Sequence, residues 1–334
     1  MDYNKCLIIA EAGVNHNGRL DLALELCDAA KRSGADVVKF QTWKTENLIT
    51  RNVAQAEYQA KNTGKQETQF DMLKKFELTY DDFRKIKKHC DDIGILFCST
   101  ADEPESLDFL VELGIPFIKV GSGDNANVSY LRYMGTKHLP VILSTGMSTL
   151  GDVDISINAL KEGGATDITV LHCTTNYPCP YSDVNLKAML TLQDAFYLPV
   201  GYSDHTKGLE VSIAAAALGA TVIEKHFTLD CEMQGPDHAA STEPKEFAEL
   251  VKAVRIVETC LGTGVKEPTD AERKISKVIT KRIVAKQSIK AGEIFSEENL
   301  CVKRNDVGVP ARHWYDVIGQ VAKKEFNYDD GIII

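Results

Sequence analysis

LPVGYSDHTKGLEVSIAAAALGATVIEKHFT, residues 198–228, holds two short apolar runs, LPVGYSDH and TVIEKHFT, around a segment of helical period that ends at Gly219. Near-continuous apolar runs of this kind suit parallel strands buried on both faces, and the helix between them makes a strand–helix–strand unit. Working outward, the same unit recurs. CLIIAEAG (6–13), DVVKFQT (36–42), ILFCST (95–100), FIKVGSG (117–123), PVILSTG (140–146) and ITVLHCT (168–174) add six strands. Helical patterns follow nearly all of them, and only the fourth, near VSYLRYMGTK, is weak. Eight such units are the number that closes a (β/α)8 TIM barrel. A doubly wound open sheet is the alternative. The barrel is favoured because polar residues collect at the C-terminal end of each strand: Glu11, Lys39 and Gln41, Thr100, Lys119 and Ser122, Ser144, Thr174 and Thr175, Ser203 and His205, and His226. In a barrel these ends converge on one mouth.

The chain has 334 residues, enough for a barrel and a smaller domain. The spacing predicts a barrel domain over 1–265, a charged connector over 266–279 and a second domain of short β pieces and turns over 280–334. A polar insertion at 43–79, with Tyr58, Asn62, Gln66 and the helical stretch DMLKKFEL, is placed to lid the mouth. Lys plus Arg number 38 against 48 Asp plus Glu, a net charge of −10 that disfavours a nucleic-acid partner. There is no apolar run of transmembrane length and no signal-peptide pattern near the first residues, so a cytoplasmic protein without a membrane partner is expected. Nine scattered cysteines with no CxxC pair read as reduced, mostly buried thiols.

SDHT (203–206) and EKHFT (224–228) put His205 and His226 at the ends of adjacent strands, where alternate residues face inward and two imidazoles can share one ion. Two histidines leave most of a coordination sphere open, which suits Mn²⁺ or Mg²⁺ completed by water and substrate better than closed tetrahedral zinc. The alternative is that each histidine satisfies a hydrogen bond within the barrel. Lys39, Lys119 and Lys225 lie in apolar strand patterns, where an unpaired ammonium is costly. Lys39 and Lys119, beside Thr100, Ser122, Ser144 and Ser203, form a candidate site for a phosphorylated, carboxylated anion; otherwise each pairs with an inward carboxylate. For Lys225, of opposite parity to His226, pairing is the preferred reading. Glu11, opening EAGVNHNG (11–18), is a candidate general base or a loop cap. Asp237 in GPDHAAS (235–241) is either a sugar-hydroxyl acceptor or a solvated turn residue. No P-loop, no GxGxxG after the first strand and no GxSxG is present, and no organic cofactor is expected.

Taken together, EAGVNHNG, VKFQT, KVGSGD, LSTGM, LHCTTNYP, GYSDHT, EKHFTLD and GPDHAAS closely resemble the sialic acid synthase family, and the C-terminal piece resembles its antifreeze-like (SAF, β-clip) domain, over about residues 7–325. The resemblance implies a C–C bond-forming transferase that joins phosphoenolpyruvate to open-chain N-acetylmannosamine, with water addition, giving a nine-carbon 2-keto sugar acid and phosphate. It implies that His205 and His226 bind Mn²⁺ or Mg²⁺ and that Lys39, Thr100, Lys119, Ser122, Ser144, Thr175 and Ser203 surround phosphoenolpyruvate. Glu11, Gln41, Tyr177 and Asp237 match positions that hold the sugar or act near it, Glu11 as base for the incoming water. Arg304 matches an arginine inserted into the partner's barrel, which implies a domain-swapped homodimer.

Bacterial members of that family usually read STPF where this chain has STAD (99–102), SGE where it has SGD (122–124) and KRPGNG where it has KRNDVG (303–308). Alanine after the Thr and Asp124 also occur in animal-type members, whereas the loss of Pro and Gly after Arg304 bears on how its loop bends. The rival within the family is an N,N'-diacetyllegionaminate synthase acting on 2,4-diacetamido-2,4,6-trideoxymannose, ahead of a pseudaminate synthase. From other classes, the alternatives are a non-catalytic carbohydrate-binding protein and a metal-dependent hydrolase.

Overall fold

The computed structural model describes residues 5–55, 60, 62, 64 and 67–334. Eight parallel strands close into a barrel in chain order: β1 (Leu7–Gly13), β2 (Val37–Thr42), β3 (Leu96–Ala101), β4 (Ile118–Val120), β5 (Val141–Ser144), β6 (Ile168–Cys173), β7 (Val200–Asp204) and β8 (Val222–His226). Closure comes from pairing of β1 with β8, in a register that sets Glu11 beside His226. The fold is thus the expected (β/α)8 barrel, and the open-sheet alternative falls because both would-be edge strands are paired.

Helices Leu20–Arg32, Tyr80–Ile93, Pro104–Leu113, Val128–Gly135, Leu150–Gly163, Lys187–Phe196, Glu210–Ala217 and Pro244–Leu261 surround the strands. The helix at 128–135 is the one whose sequence pattern is weak; it buries Tyr130, Leu131 and Met134 on one face. Local chemistry marks the helix starts. Thr79 and Thr149 each close a capping box with an Asp three residues on, and Pro104 sits in the first turn behind the capping carboxylate of Glu103. The main apolar core lies between strands and helices, filled by outward strand residues such as Ile8, Val38, Phe40, Phe97, Val170 and Tyr202.

Of the insertion, Tyr58 and Gln66 lie outside the described residues, whereas the Asn62 amide donates to the Pro236 carbonyl at 2.7 Å. DMLKKFEL forms most of a helix at Gln69–Phe76.

The chain divides into two compact units, Met1–Gly262 and Thr263–Ile334. The stretch read as a connector carries a helix, Asp270–Ile279, started by a Thr269 capping box. The second unit pairs β9 (Lys281–Ala285) with β10 (Leu300–Arg304) antiparallel, over a core of Ile283, Ile289, Phe295, Leu300, Val317, Phe326 and Ile332. Among the described residues, no helix is long and apolar enough to cross a membrane, and all nine cysteines are free thiols.

Candidate active site

Alternation along each strand builds the barrel interior in layers. Ile9, Val37, Cys98, Phe117, Ile142, Leu171 and Val222 form a dry floor. Two residues further along the same strands stand Glu11, Lys39, Thr100, Lys119, Ser144, Cys173 and Glu224, with Ser203 on β7. The step from apolar to charged therefore happens within one strand period. It lies at the C-terminal end, where the barrel opens into a cavity lined by these residues, Cys173 excepted, together with Gln41, Ser122, Thr175, Tyr177, His205 and His226.

The charges in this layer are buried and paired. Lys39 Nζ lies 2.6 Å from Glu11 and 3.3 Å from Glu224, and donates to Thr100 Oγ1 at 3.0 Å. Lys119 Nζ lies 3.2 Å from Glu224 and donates to Ser144 Oγ at 2.8 Å. Glu11 also accepts from the Gln41 amide at 2.8 Å. Burial raises the Glu224 carboxyl, but the ammonium groups of Lys119 and Lys39 outweigh it and hold it well below the usual carboxylate range. For Glu11, burial, reinforced by the Glu224 charge, wins over the pull of Lys39, and its carboxyl is pushed up. Burial pulls Lys39 down, yet Glu11 and Glu224 carry it above the ordinary lysine value.

A cluster of hydroxyls sits beside the lysines. Ser122 Oγ accepts from the Gly146 amide at 3.0 Å, and Thr175 Oγ1 is buried with no hydrogen-bond partner among the described residues. A Cβ on Gly146 would come within 2.1 Å of Thr175 Oγ1 and 2.8 Å of Ser122 Oγ, so only glycine leaves both hydroxyls in place. Lysines and hydroxyls gathered in this way are of the chemistry that binds a phosphate or carboxylate group.

The two histidines meet as their strand-end positions predict, with ring centroids 5.4 Å apart. The His205 Nδ1–H donates to the Thr174 carbonyl at 2.7 Å, leaving Nε2 with its lone pair. His226 Nδ1 is buried with no partner among the described residues. Burial lowers both imidazoles, so they are neutral, the form that ligates a metal. No group of three or more His, Cys, Asp or Glu side chains among the described residues is arranged to hold a metal. A two-histidine site fits an ion that takes its remaining ligands from water and substrate.

A model of the NeuB family matches residues 26–266, and a SAF-domain model matches residues 280–332. The chain belongs to the NeuB family. It is 47% identical to an N,N'-diacetyllegionaminic acid synthase of Campylobacter jejuni, covering 98% of each chain, and 46% identical to the protein of that name from Legionella pneumophila, covering 94% of this chain and 89% of the other. Its fold is similar to the crystal structure of an N-acetylneuraminic acid (sialic acid) synthetase from Leptospira borgpetersenii in complex with citrate, with a TM-score of 0.73 and 34% identity over 82% of this chain and 90% of that one.

Within this NeuB-family barrel, one cavity gathers Glu11, Lys39, Gln41, Thr100, Lys119, Ser122, Ser144, Thr175, Tyr177, Ser203, His205 and His226. Asp237 lines an adjoining cavity that shares Gln41, Tyr177 and His226 and is walled by Val14, Met72, Leu73, Phe76 and Pro236. Burial, with the nearby Glu11 charge, pushes the Asp237 carboxyl up to about 7. Arg304 is the exposed last residue of β10 in the second unit. Lys39 and Lys119 each pair with an inward carboxylate, and each also donates to a hydroxyl of the same layer. Lys225 is paired, but on the outer side of the barrel: its Nζ lies 2.9 Å from Asp204, whose carboxylate also accepts from Ser212 and Thr206.

Sequence reasoning missed two residues. Glu224 bridges both lysines from the position before Lys225, and its signal was parity, two residues from His226 on the inward face. Asp102 lines the cavity just beyond β3, next to the residue that caps the following helix.

Proposed function

We propose that this chain joins phosphoenolpyruvate to an unphosphorylated, N-acylated mannosamine-type sugar in its open aldehyde form, producing a nine-carbon 2-keto sugar acid and phosphate. The observation that carries this reading is the buried layer in which Lys39 and Lys119 share Glu224 and face the hydroxyls of Thr100 and Ser144, beneath two neutral histidines. In this reading the lysines, with Thr100, Ser122, Ser144, Thr175 and Ser203, hold the phosphate and carboxylate of phosphoenolpyruvate. C3 of phosphoenolpyruvate attacks the aldehyde carbon, and C2 becomes oxocarbenium-like. Water adds to C2 and Glu11 takes one of its protons, which goes on to the former aldehyde oxygen; the tetrahedral carbon then expels phosphate by C–O cleavage, the remaining C2 hydroxyl proton passing to the phosphate as the keto group forms. Burial raises the Glu11 carboxyl, which makes it a stronger base than an exposed glutamate. The lysine charges offset the anion throughout. His205 and His226 would hold Mn²⁺ or Mg²⁺, which when bound supplies Lewis-acid polarisation of the aldehyde oxygen.

Among the described residues that line the sugar side there is no lysine or arginine, and Asp237 stands there, which supports a substrate without a phosphate. Its wall of Val14, Met72, Leu73, Phe76 and Pro236 matches methyl groups rather than hydroxyls. That wall, with the names of the Campylobacter and Legionella relatives, supports 2,4-diacetamido-2,4,6-trideoxymannose as the sugar. N-acetylmannosamine is the second reading, favoured by the likeness to the Leptospira synthetase. The homodimer, with Arg304 acting in the partner's site, belongs to this proposal and is tested by light scattering and by the sugar KM of Arg304→Ala.

The deciding experiment is phosphate release from phosphoenolpyruvate by the full-length protein with Mn²⁺, comparing the two sugars, with and without a chelator. Faster release with the diacetamido sugar supports the first choice, and faster release with N-acetylmannosamine supports the second. Release with neither sugar overturns the proposal.

A further inference from the structure

Two residues beyond Thr100, on the same inward parity, Asp102 forms part of the cavity lining one level further out than the lysines. Its backbone is fixed by donation from its own amide to the Thr42 carbonyl at 3.1 Å. Its carboxyl makes no hydrogen bond to any described residue. The neighbouring Glu103 differs, because its carboxylate is consumed in capping the helix at 104–113, accepting from the amides of Glu105 at 2.8 Å and Ser106 at 3.1 Å. A carboxyl enclosed at the mouth and unsatisfied by the protein is placed to be satisfied by a ligand.

The ligand it meets is set by the layering. Phosphoenolpyruvate occupies the cationic inner layer in the function proposed above, on which this inference rests, so the second substrate lies over it at the level of Asp102. We propose that Asp102 is a further sugar-binding residue, hydrogen-bonding a hydroxyl or acetamide group of the open-chain sugar above the phosphoenolpyruvate site.

The charges facing Asp102 support that role. Burial and the Asp124 carboxylate push its carboxyl up to about 8, with Glu11 and Glu103 adding to the rise and Lys39 opposing it. Asp124 in turn is held by the Asn127 amide at 3.0 Å, and Tyr130, packed beside both aspartates, has its hydroxyl committed to the Ala101 carbonyl at 2.9 Å. At neutral pH Asp102 therefore carries a proton. It can donate as well as accept, and it brings no negative charge next to the phosphoenolpyruvate anion.

The test is steady-state kinetics of the full-length wild type, Asp102→Asn and Asp102→Ala, with both substrates varied, from about pH 6.5 to about pH 9.5. For Asp102→Ala, loss of a neutral hydrogen bond raises the sugar KM about five- to tenfold while the phosphoenolpyruvate KM stays within about twofold. Asp102→Asn keeps a donor and an acceptor and stays near wild type at pH 7. The sign of the pH effect follows from the proton: the wild-type sugar KM climbs above about 8, a limb that Asp102→Asn lacks, whereas any change near 7 from the Asp237 carboxyl is common to both proteins. An unchanged sugar KM in both variants, an equal rise in the phosphoenolpyruvate KM, or an alkaline climb that persists in Asp102→Asn overturns the assignment. If Asp102→Ala does not fold, the alkaline limb of Asp102→Asn decides alone. A wild type without sugar-dependent turnover overturns the proposed function as well, whereas an active wild type with indifferent variants overturns only the role of Asp102.

Discussion

Glu224→Gln removes one negative charge from between two buried ammonium groups, at 3.3 Å from Lys39 and 3.2 Å from Lys119, and changes almost no volume. At an effective dielectric near 20, each contact is worth about 5 kcal/mol before desolvation is counted. Desolvation of the buried ions offsets most of that, but deleting Glu224 leaves Lys39 with Glu11 and takes from Lys119 its carboxylate partner, for a net loss of about 3–5 kcal/mol. For a barrel of this size that corresponds to a fall in Tm of roughly 5–10 °C. The same change leaves the cavity one unit more positive. Phosphoenolpyruvate or inorganic phosphate, by restoring the missing negative charge, therefore raises the Tm of Glu224→Gln by more than it raises that of the wild type. Thermal melts of both proteins, with and without each anion, read out both effects. A variant that melts within a degree or two of wild type, or that gains no more than wild type from the anion, refutes the account of Glu224 as the shared counterion.

Gly146→Ala pushes the Thr175 and Ser122 hydroxyls off their positions and raises the phosphoenolpyruvate KM about tenfold or more, while the barrel stays folded by circular dichroism; an unaltered KM contradicts their place around phosphoenolpyruvate. Lys225→Met strands the buried Asp204 carboxylate on the outer face of the barrel and costs about 3–5 kcal/mol by urea denaturation, with both substrate KM values unchanged. His16 and His238 are buried neutral imidazoles, each lowered to about 4 mainly by burial, so the unfolded chain binds more protons than the folded one below its ordinary value of 6.5. Their contribution to stability is whole above pH 6.5 and is lost as the pH falls towards 4, and His238→Gln makes that acid limb shallower by up to one proton, about 1.4 kcal/mol per pH unit.

Barrel strands were legible because burial on both faces leaves a nearly pure apolar run, and the sharp change to Glu11, Lys39 and Lys119 marks which end opens. The helix at 128–135 was hard to read because polar residues of the preceding turn blur its period, though Tyr130, Leu131 and Met134 lie on one buried face. The histidine pair was legible from strand ends alone, since β7 and β8 are hydrogen-bonded neighbours. Glu224 was hidden because an alternating strand reads Glu–Lys as a local pair, when the pleat sends the two side chains to opposite faces and gives each a distant partner. Asp102 was hidden for a different reason: a carboxyl beside Glu103 at a helix start looks like a cap, and only the hydrogen bonds show that Glu103 takes that task. The apolar wall from the helix at Gln69–Phe76 required tertiary structure, because an insertion's period says which face is buried but not against what.

The most direct test of the account follows product formation by mass spectrometry when the full-length protein is given phosphoenolpyruvate, Mn²⁺ and either 2,4-diacetamido-2,4,6-trideoxymannose or N-acetylmannosamine in ¹⁸O-labelled water. The account predicts a nine-carbon 2-keto acid with label entering at C2 and none in the released phosphate, dependent on a sugar and abolished by Lys119→Met. Label in the phosphate, or phosphate release that ignores the sugar, would contradict C–O cleavage and with it the central claim.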